Sequence, residues 1–175
     1  MRTYAILSRL APRAAAVALA LLAAGGCAGY RIGTTLPAHL RSISVENFVN
    51  ESGEPRLETE LSRAVLREIQ REGQLRLAQP PDAAILLTGT IKSYSLEPMR
   101  YDQNRPKSVS EYRVVIRVAI RAIEARTGNL IVEQTVVGDT TLTTGGDLTT
   151  LRRMALPAAA RQAAHEIVNA VVSAW

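Results

Sequence analysis

The sequence predicts an α+β sandwich, one layer of strands with helices on one face, and three stretches carry that expectation. EYRVVIRVAIRAIEARTGN at 111–129 sets Tyr112, Val114, Ile116, Val118, Ile120 and Ala122 at every second position, mostly in β-branched or aromatic types that suit a pleated surface. Leu57, Leu61, Ala64, Val65 and Ile69 recur instead at helical spacing, as do Ala164, Ile167, Val168, Val171, Val172 and Trp175 near the C-terminus. Two helices with one apolar face each need a sheet to lie on.

Residues 1–26 carry Arg2, Arg9 and Arg13, then the apolar run AAAVALALLAA, then Gly25 and Gly26 before Cys27. A basic start, a short apolar centre and small residues at the break describe a secretory signal; a spanning helix needs ~20 apolar residues. The position of Cys27 resembles a bacterial lipobox, in which the cysteine is acylated and becomes the first mature residue, although Ala24 stands where that pattern usually has leucine. Cys27 is the one cysteine of the chain, so no intramolecular disulfide forms.

The signal also accounts for the basic balance. The chain is +5, but removing Arg2, Arg9 and Arg13 from its 21 basic residues leaves 18 against 16 acidic ones, a net +2. That is no basis for nucleic-acid binding. The roughly 150 residues that remain suit one domain at 41–175 with a real core, preceded by an acylated N-terminus and short tether at 27–40.

Within the domain, residues 41–48 alternate Ile43 and Val45 against polar neighbours, a first strand. NESGEP then turns the chain into a helix from about Pro55 to Glu72, with Pro55 suited to its first position and Gly73 to its end. A short strand near Leu75–Leu77 stops at Pro80 and Pro81. The next strand, roughly 84–96, puts Ile85, Leu87 and Ile91 on one face and Thr88, Thr90, Lys92 and Tyr94 on the other. EPMRYDQNRPKSVS at 97–110 reads as a long loop.

The stretch at 111–129 also fits a helix, on which Arg113, Arg117 and Arg121 would fall within about 80° of one another. The even spacing, and the Thr127-Gly128-Asn129 turn leading directly into LIVEQTVV, favour a hairpin with strands at 109–124 and 130–143. In the last helix Asp147 is placed to cap the start, and Pro157 to kink or restart it.

Catalytic chemistry finds little support. His39 and His165 have no cysteine, carboxylate or second histidine at ligand spacing, and Gly145-Gly146 lacks the rest of a nucleotide-binding pattern. The expectation is a binding or structural protein, with no catalytic residues, metal or cofactor.

GYRIG after the cysteine, LPAHLRSISVENFVNESGEPRLETELSRAVLREIQREGQLRL, DAAILLTGTIKSYSLEPMRYD, EYRVVIRVAIRAIEARTGNLI and the terminal Trp175 together resemble the LptE family of lipopolysaccharide-assembly lipoproteins, collinearly over nearly all of 27–175. The resemblance implies a mixed, mostly antiparallel four-stranded sheet with two helices packed on one face. It also implies an outer-membrane lipoprotein that plugs the LptD β-barrel, supports its assembly and binds lipopolysaccharide on its way to the outer leaflet.

The basic residues have to be judged physically. Lipopolysaccharide offers clustered phosphates, which need guanidinium or ammonium groups at fixed separations. On a strand Arg113, Arg117 and Arg121 stand ~13 Å apart at ~3.3 Å per residue, too far to grip one phosphate together. Lys92 on the neighbouring strand and Arg100, Arg105 and Lys107 in the long loop add charge. Three readings stay open: contact with lipopolysaccharide, contact with the polar barrel lumen, or a solvated face neutralised by Glu111, Glu124 and Glu133. Acyl chains on Cys27 anchor the protein at ~0.8 kcal/mol per buried CH₂, and Ala28 after the cysteine favours the outer membrane. The alternative is an outer-membrane lipoprotein that activates a peptidoglycan synthase or another envelope-assembly partner, for which a tether at 28–40 is short.

Overall fold

The computed structural model describes residues 36–103, 108–143 and 148–175. The signal, Cys27, Arg105, Lys107, Gly145, Gly146 and Asp147 lie outside the described residues. After a 3-10 turn at Ala38–Leu40 come β1 (Ser42–Val45), β2 (Val49–Asn50), α1 (Leu57–Glu72), β3 (Arg76–Leu77), β4 (Ile85–Tyr101), β5 (Val109–Glu124), β6 (Leu130–Thr143) and α2 (Leu148–Val172). The strands form one mixed sheet in the order β3-β1-β4-β5-β6, with β2 also pairing with β4. β1 runs parallel to β3 and β4, and β2 parallel to β4. The β4–β5 and β5–β6 pairs are antiparallel.

Four strands were expected and six segments form, for two physical reasons. The first strand is interrupted: Val45 faces Leu87 but Val49 faces Thr90, so this chain spends one residue more than β4 does between the two contacts. The extra length lets Phe48, 3% exposed, turn into the core over Gly89, where a Cβ would lie 2.3 Å from the Phe48 ring. The sixth segment is the two-residue β3, where the sequence predicts a short strand near Leu75–Leu77 beyond the four strands that the family resemblance implies; its parallel pairing with β1 requires the α1 crossover.

α1 starts two residues later than Pro55 because Arg56 is still in the turn, at φ 66. It ends at Gly73, φ 80, whose N–H donates to the Ile69 carbonyl at 3.2 Å, the left-handed stop that glycine adopts without strain. α2 runs unbroken through Pro157. The proline leaves the Arg153 carbonyl without its helical donor, and Arg153 is exposed, so water can serve it.

Both helices cover one face of the sheet. Ile85, Leu87 and Ile91 of β4 and every second residue of β5 from Val114 to Ala122 are at most 2% exposed. α1 contributes Leu57, Leu61, Val65 and Ile69 to this core, whereas α2 contributes Ala155, Ala159, Ala160, Ala163 and Ala164 before Ile167, Val168 and Val171. Small side chains bring α2 close to β6: a Cβ on Gly138 would lie 2.3 Å from the Ala163 backbone nitrogen.

Two features of β4 depart from the sequence pattern. Ile91 faces Val118 while Ser93 faces Arg117, so Lys92 is a bulge residue. Past it the alternation reverses. Tyr94 and Leu96 face the buried Ile116 and Val114 and pack on the core, so Tyr94 does not share a face with Thr88 and Thr90 as its number suggests. β4 also continues to Tyr101 through further irregularities between Pro98 and Tyr101, leaving only a short connection where a long loop was expected. Pro98 is tolerated because β4 has a partner on one side only beyond Ile91.

Candidate ligand and partner surface on the open sheet face

The face that the helices leave bare carries the arginine row. Across it, successive ranks read Glu97, Arg113 and Thr141; Ser95, Val115 and Asp139; Ser93, Arg117 and Val137; Thr90, Ala119 and Thr135; Thr88, Arg121 and Glu133. Arg113, Arg117 and Arg121 are thus on one face, as the even spacing predicts. Val115 lies between the first two on the same face yet is only 3% exposed, as befits an apolar residue flanked by long aliphatic stems.

Most of the cations here are already partnered. Arg113 Nε donates to Asp139 Oδ2 at 2.9 Å, and that hydrogen bond holds the guanidinium pKa above its ordinary value. Arg121 Nε is 3.9 Å from Glu133 Oε2, and Lys92 Nζ is 2.9 Å from Glu51 Oε2. Arg100, expected in a loop, sits on β4 with Nη1 3.6 Å from Glu111 Oε2. Arg117 makes no ion pair or side-chain hydrogen bond among the described residues, because its cross-strand neighbours Ser93 and Val137 are neutral. Exposed pairs of this kind are worth ~0–1 kcal/mol each, so an incoming anion displaces a carboxylate at little cost.

Next to the row, a shallow trough of about 410 Å³ lies over Thr90, Ala119 and Thr135, where small side chains lower the surface, with Lys92, Arg121, Glu46 and Glu133 among its lining. Its surface is mixed polar and apolar, suited to packing or to hydrogen-bonding a polar ligand.

Sequence reasoning named Glu111 and Glu133 as neutralising partners, and both serve. Glu124 pairs instead with Arg126, at 3.8 Å. Asp139 and Glu51 were missed. Counting back from the Gly128 turn puts Asp139 one position out, because the hairpin register shifts between Ala122 and Ile123. Glu51 sits on the far side of α1 and β3 in sequence. His165 was expected to have no carboxylate at ligand spacing, and Glu166 beside it turns to Gln162; the fold brings Glu68 Oε1 to 2.9 Å from its Nδ1. Tyr94, turned inward by the bulge, has a hydroxyl with no hydrogen-bond partner among the described residues. Burial pushes that phenol up to about 12, the Glu54 charge adding to the rise and Arg152 opposing it. Among the described residues no three histidine, cysteine or acidic side chains are grouped to hold a metal ion.

A mixed sheet with two helices on one face and the other face bare is an α+β sandwich, and on that bare face Arg113, Arg117 and Arg121 stand among Glu97, Asp139 and Glu133. The chain belongs to the LptE family, described as lipopolysaccharide-assembly, whose match spans residues 40–171. Solved structures share the fold. The hypothetical protein CT253 from Chlamydia trachomatis, 12% identical, superposes with a TM-score of 0.55 over 74% of this chain and 96% of that one. Protein XCC0632 from Xanthomonas campestris, also 12% identical, gives 0.52 over 76% and 86%. At that identity the likeness concerns the fold alone. No curated protein matches the sequence.

Proposed function

We propose that the chain is an outer-membrane lipoprotein, acylated at Cys27 after removal of residues 1–26, whose domain at 41–175 plugs the LptD β-barrel and assists lipopolysaccharide assembly and transport to the outer leaflet. The observation that carries this reading is the bare sheet face with Arg117 unneutralised in the middle of a row of weakly paired cations. Family membership supports a role in lipopolysaccharide assembly, and the lipobox-like cysteine supports attachment through acyl chains. One phosphate reaching this face meets Arg117, which has no ion pair among the described residues, and further phosphates of the same ligand meet Arg113 and Arg121 by displacing Asp139 and Glu133. A polar barrel wall finds the same groups as hydrogen-bond donors.

Two experiments test the proposal. Affinity purification of the acylated protein from detergent-solubilised outer membranes is expected to recover a large β-barrel protein; recovery of none would sink the plug assignment. Reversal of charge in Arg113→Glu/Arg117→Glu is expected to weaken lipopolysaccharide binding with the far-UV spectrum unchanged. Arg117→Glu alone should act more strongly than Arg113→Glu, since Arg113 is already paired with Asp139. Unchanged lipopolysaccharide binding with lost barrel recovery assigns the row to the barrel wall, and no change in either returns it to a solvated face.

A further inference from the structure

On the other side of the molecule, between the helices, lies a cleft of about 570 Å³ that the open face does not involve. Arg67, Glu68 and Arg71 of α1 form one wall and Arg161, Gln162 and His165 of α2 the other. Ala64 and Ala158 also line it. Each wall presents two basic side chains one helical turn apart, Arg67 with Arg71 and Arg161 with His165, so each pair stays on one helix face.

Glu68 is the one carboxylate of the lining, and it is fully engaged. Arg71 donates to it from both Nε at 2.9 Å and Nη2 at 2.6 Å, while His165 Nδ1 lies 2.9 Å from Oε1. Its side chain is only 12% exposed, against 70% for Arg71 and 52% for His165. The Gln162 amide is turned along its own helix, donating to Glu166 at 3.1 Å. Arg67 and Arg161 are exposed and make no ion pair or side-chain hydrogen bond among the described residues. The cleft therefore holds two uncommitted guanidiniums on opposite walls, with its negative charge already spent on Arg71 and His165.

We propose that this interhelical cleft binds a phosphate-bearing anion, gripped by Arg67 and Arg161 from opposite walls. Glu68 acts as a positioning residue that fixes Arg71 and His165 beside it. A guanidinium meets two oxygens of one anion through its planar fork, and a phosphate has enough oxygens for forks arriving from two sides, where a carboxylate is filled by one. Three arginines against one carboxylate give the lining an excess of positive charge without any contribution from the open face. The site is therefore independent of the plug assignment.

The test uses the full-length acylated chain in neutral detergent, titrated calorimetrically with pyrophosphate and, separately, with a short-chain water-soluble phosphatidic acid. With Arg113→Ala/Arg117→Ala as the background, so that the open face does not contribute, saturable binding is expected and is weakened at least tenfold when Arg67→Ala/Arg161→Ala is added, with circular dichroism confirming the fold of each variant. Arg67→Lys/Arg161→Lys, which keeps charge and loses the fork, is expected to fall between. Tighter binding of the phosphatidic acid assigns a lipid headgroup as source, and tighter binding of pyrophosphate a free phosphate. Binding of neither probe, binding indifferent to Arg67→Ala/Arg161→Ala, or equal affinity for an oligoglutamate peptide overturns the proposal.

Discussion

Replacing Gly138 with alanine sets two effects of opposite sign against each other. Gly138 is not among the positive-φ glycines, which among the described residues are Gly53, Gly73 and Gly128, so the strand conformation accepts a side chain. Intrinsic preference alone then favours alanine by roughly 0.5–1 kcal/mol. The contact says otherwise: the new Cβ would stand 2.3 Å from the Ala163 nitrogen and 2.5 Å from its Cα and Cβ, where non-bonded carbons settle at ~3.5–4.0 Å. The obstacle is helix backbone and cannot rotate aside, so α2 must lift by roughly 1–1.5 Å over this point. That loosens the buried alanines at 155, 159, 160 and 164. Overpacking typically costs ~1–3 kcal/mol, and an obstacle made of backbone belongs at the upper end. The net expectation is a loss of about 2 kcal/mol by urea denaturation, or about 6 °C in Tm at roughly 3 °C per kcal/mol for a domain of this size. Adding Ala163→Gly removes the Cβ contact but leaves the nitrogen and Cα in place and costs ~1 kcal/mol of helix propensity, so the double variant should be no more stable than the single. A Tm for Gly138→Ala equal to or above the parent's would refute the close approach of α2 to β6.

Other consequences are open to measurement. Tyr94→Phe removes a hydroxyl that has no partner among the described residues and should leave stability unchanged or raise it by up to ~1 kcal/mol, read by urea denaturation. Because burial raises the folded phenol to about 12, above its ordinary 10.0, the titration of Tyr94 leaves stability untouched below pH 10 and lowers it as pH rises from 10 towards 12; the Phe variant should lose that part of the alkaline decline. The Glu68 carboxyl is held below its ordinary 4.5, chiefly by the Arg71 hydrogen bond, with burial opposing. Its contribution is present above that pH and lost as acid carries it through the lower folded value, so Glu68→Gln should flatten the acid limb of an unfolding curve. Gly128→Ala forces φ 74 on a residue with a Cβ and should cost ~1 kcal/mol, seen as a lower urea midpoint.

Period and turn chemistry carried most of the architecture. The hairpin strands at 109–124 and 130–143 end where Gly128 supplies a left-handed backbone, and the first helix stops at Gly73 for the same reason. Hidden from the sequence were the places where a ladder gains or loses a residue. The break between β1 and β2 and the bulge at Lys92 arise from pairing with segments distant in sequence, the shift near Ile123 from the register of the hairpin beside its turn, and no local pattern marks any of them. The arginine row was legible because its spacing is even and β5 keeps its phase from Arg113 to Arg121. Its neutralising partners were legible only in part, since Asp139 and Glu51 depend on those shifts. The interhelical cleft was invisible, because Glu68 and His165 are 97 residues apart and helix periodicity does not say which helix lies alongside which.

The bulge at Lys92 acts as a phase switch in a strand that must satisfy two different neighbours. Before it, odd-numbered residues of β4 go under the helices; after it, even-numbered ones do, so Ser93 and Ser95 border Arg117 and Val115 while Tyr94 and Leu96 stay inside. Deleting Lys92 would therefore leave every face as it is, since Ser93 would follow Ile91 opposite Arg117 and Tyr94 would still meet Ile116. Pairing Lys92 opposite Arg117 without a bulge would do the reverse: it would turn two hydroxyls into the core, set an aromatic ring and a leucine beside the arginines, and replace a hydrophilic border with an adhesive one while leaving every arginine where it is.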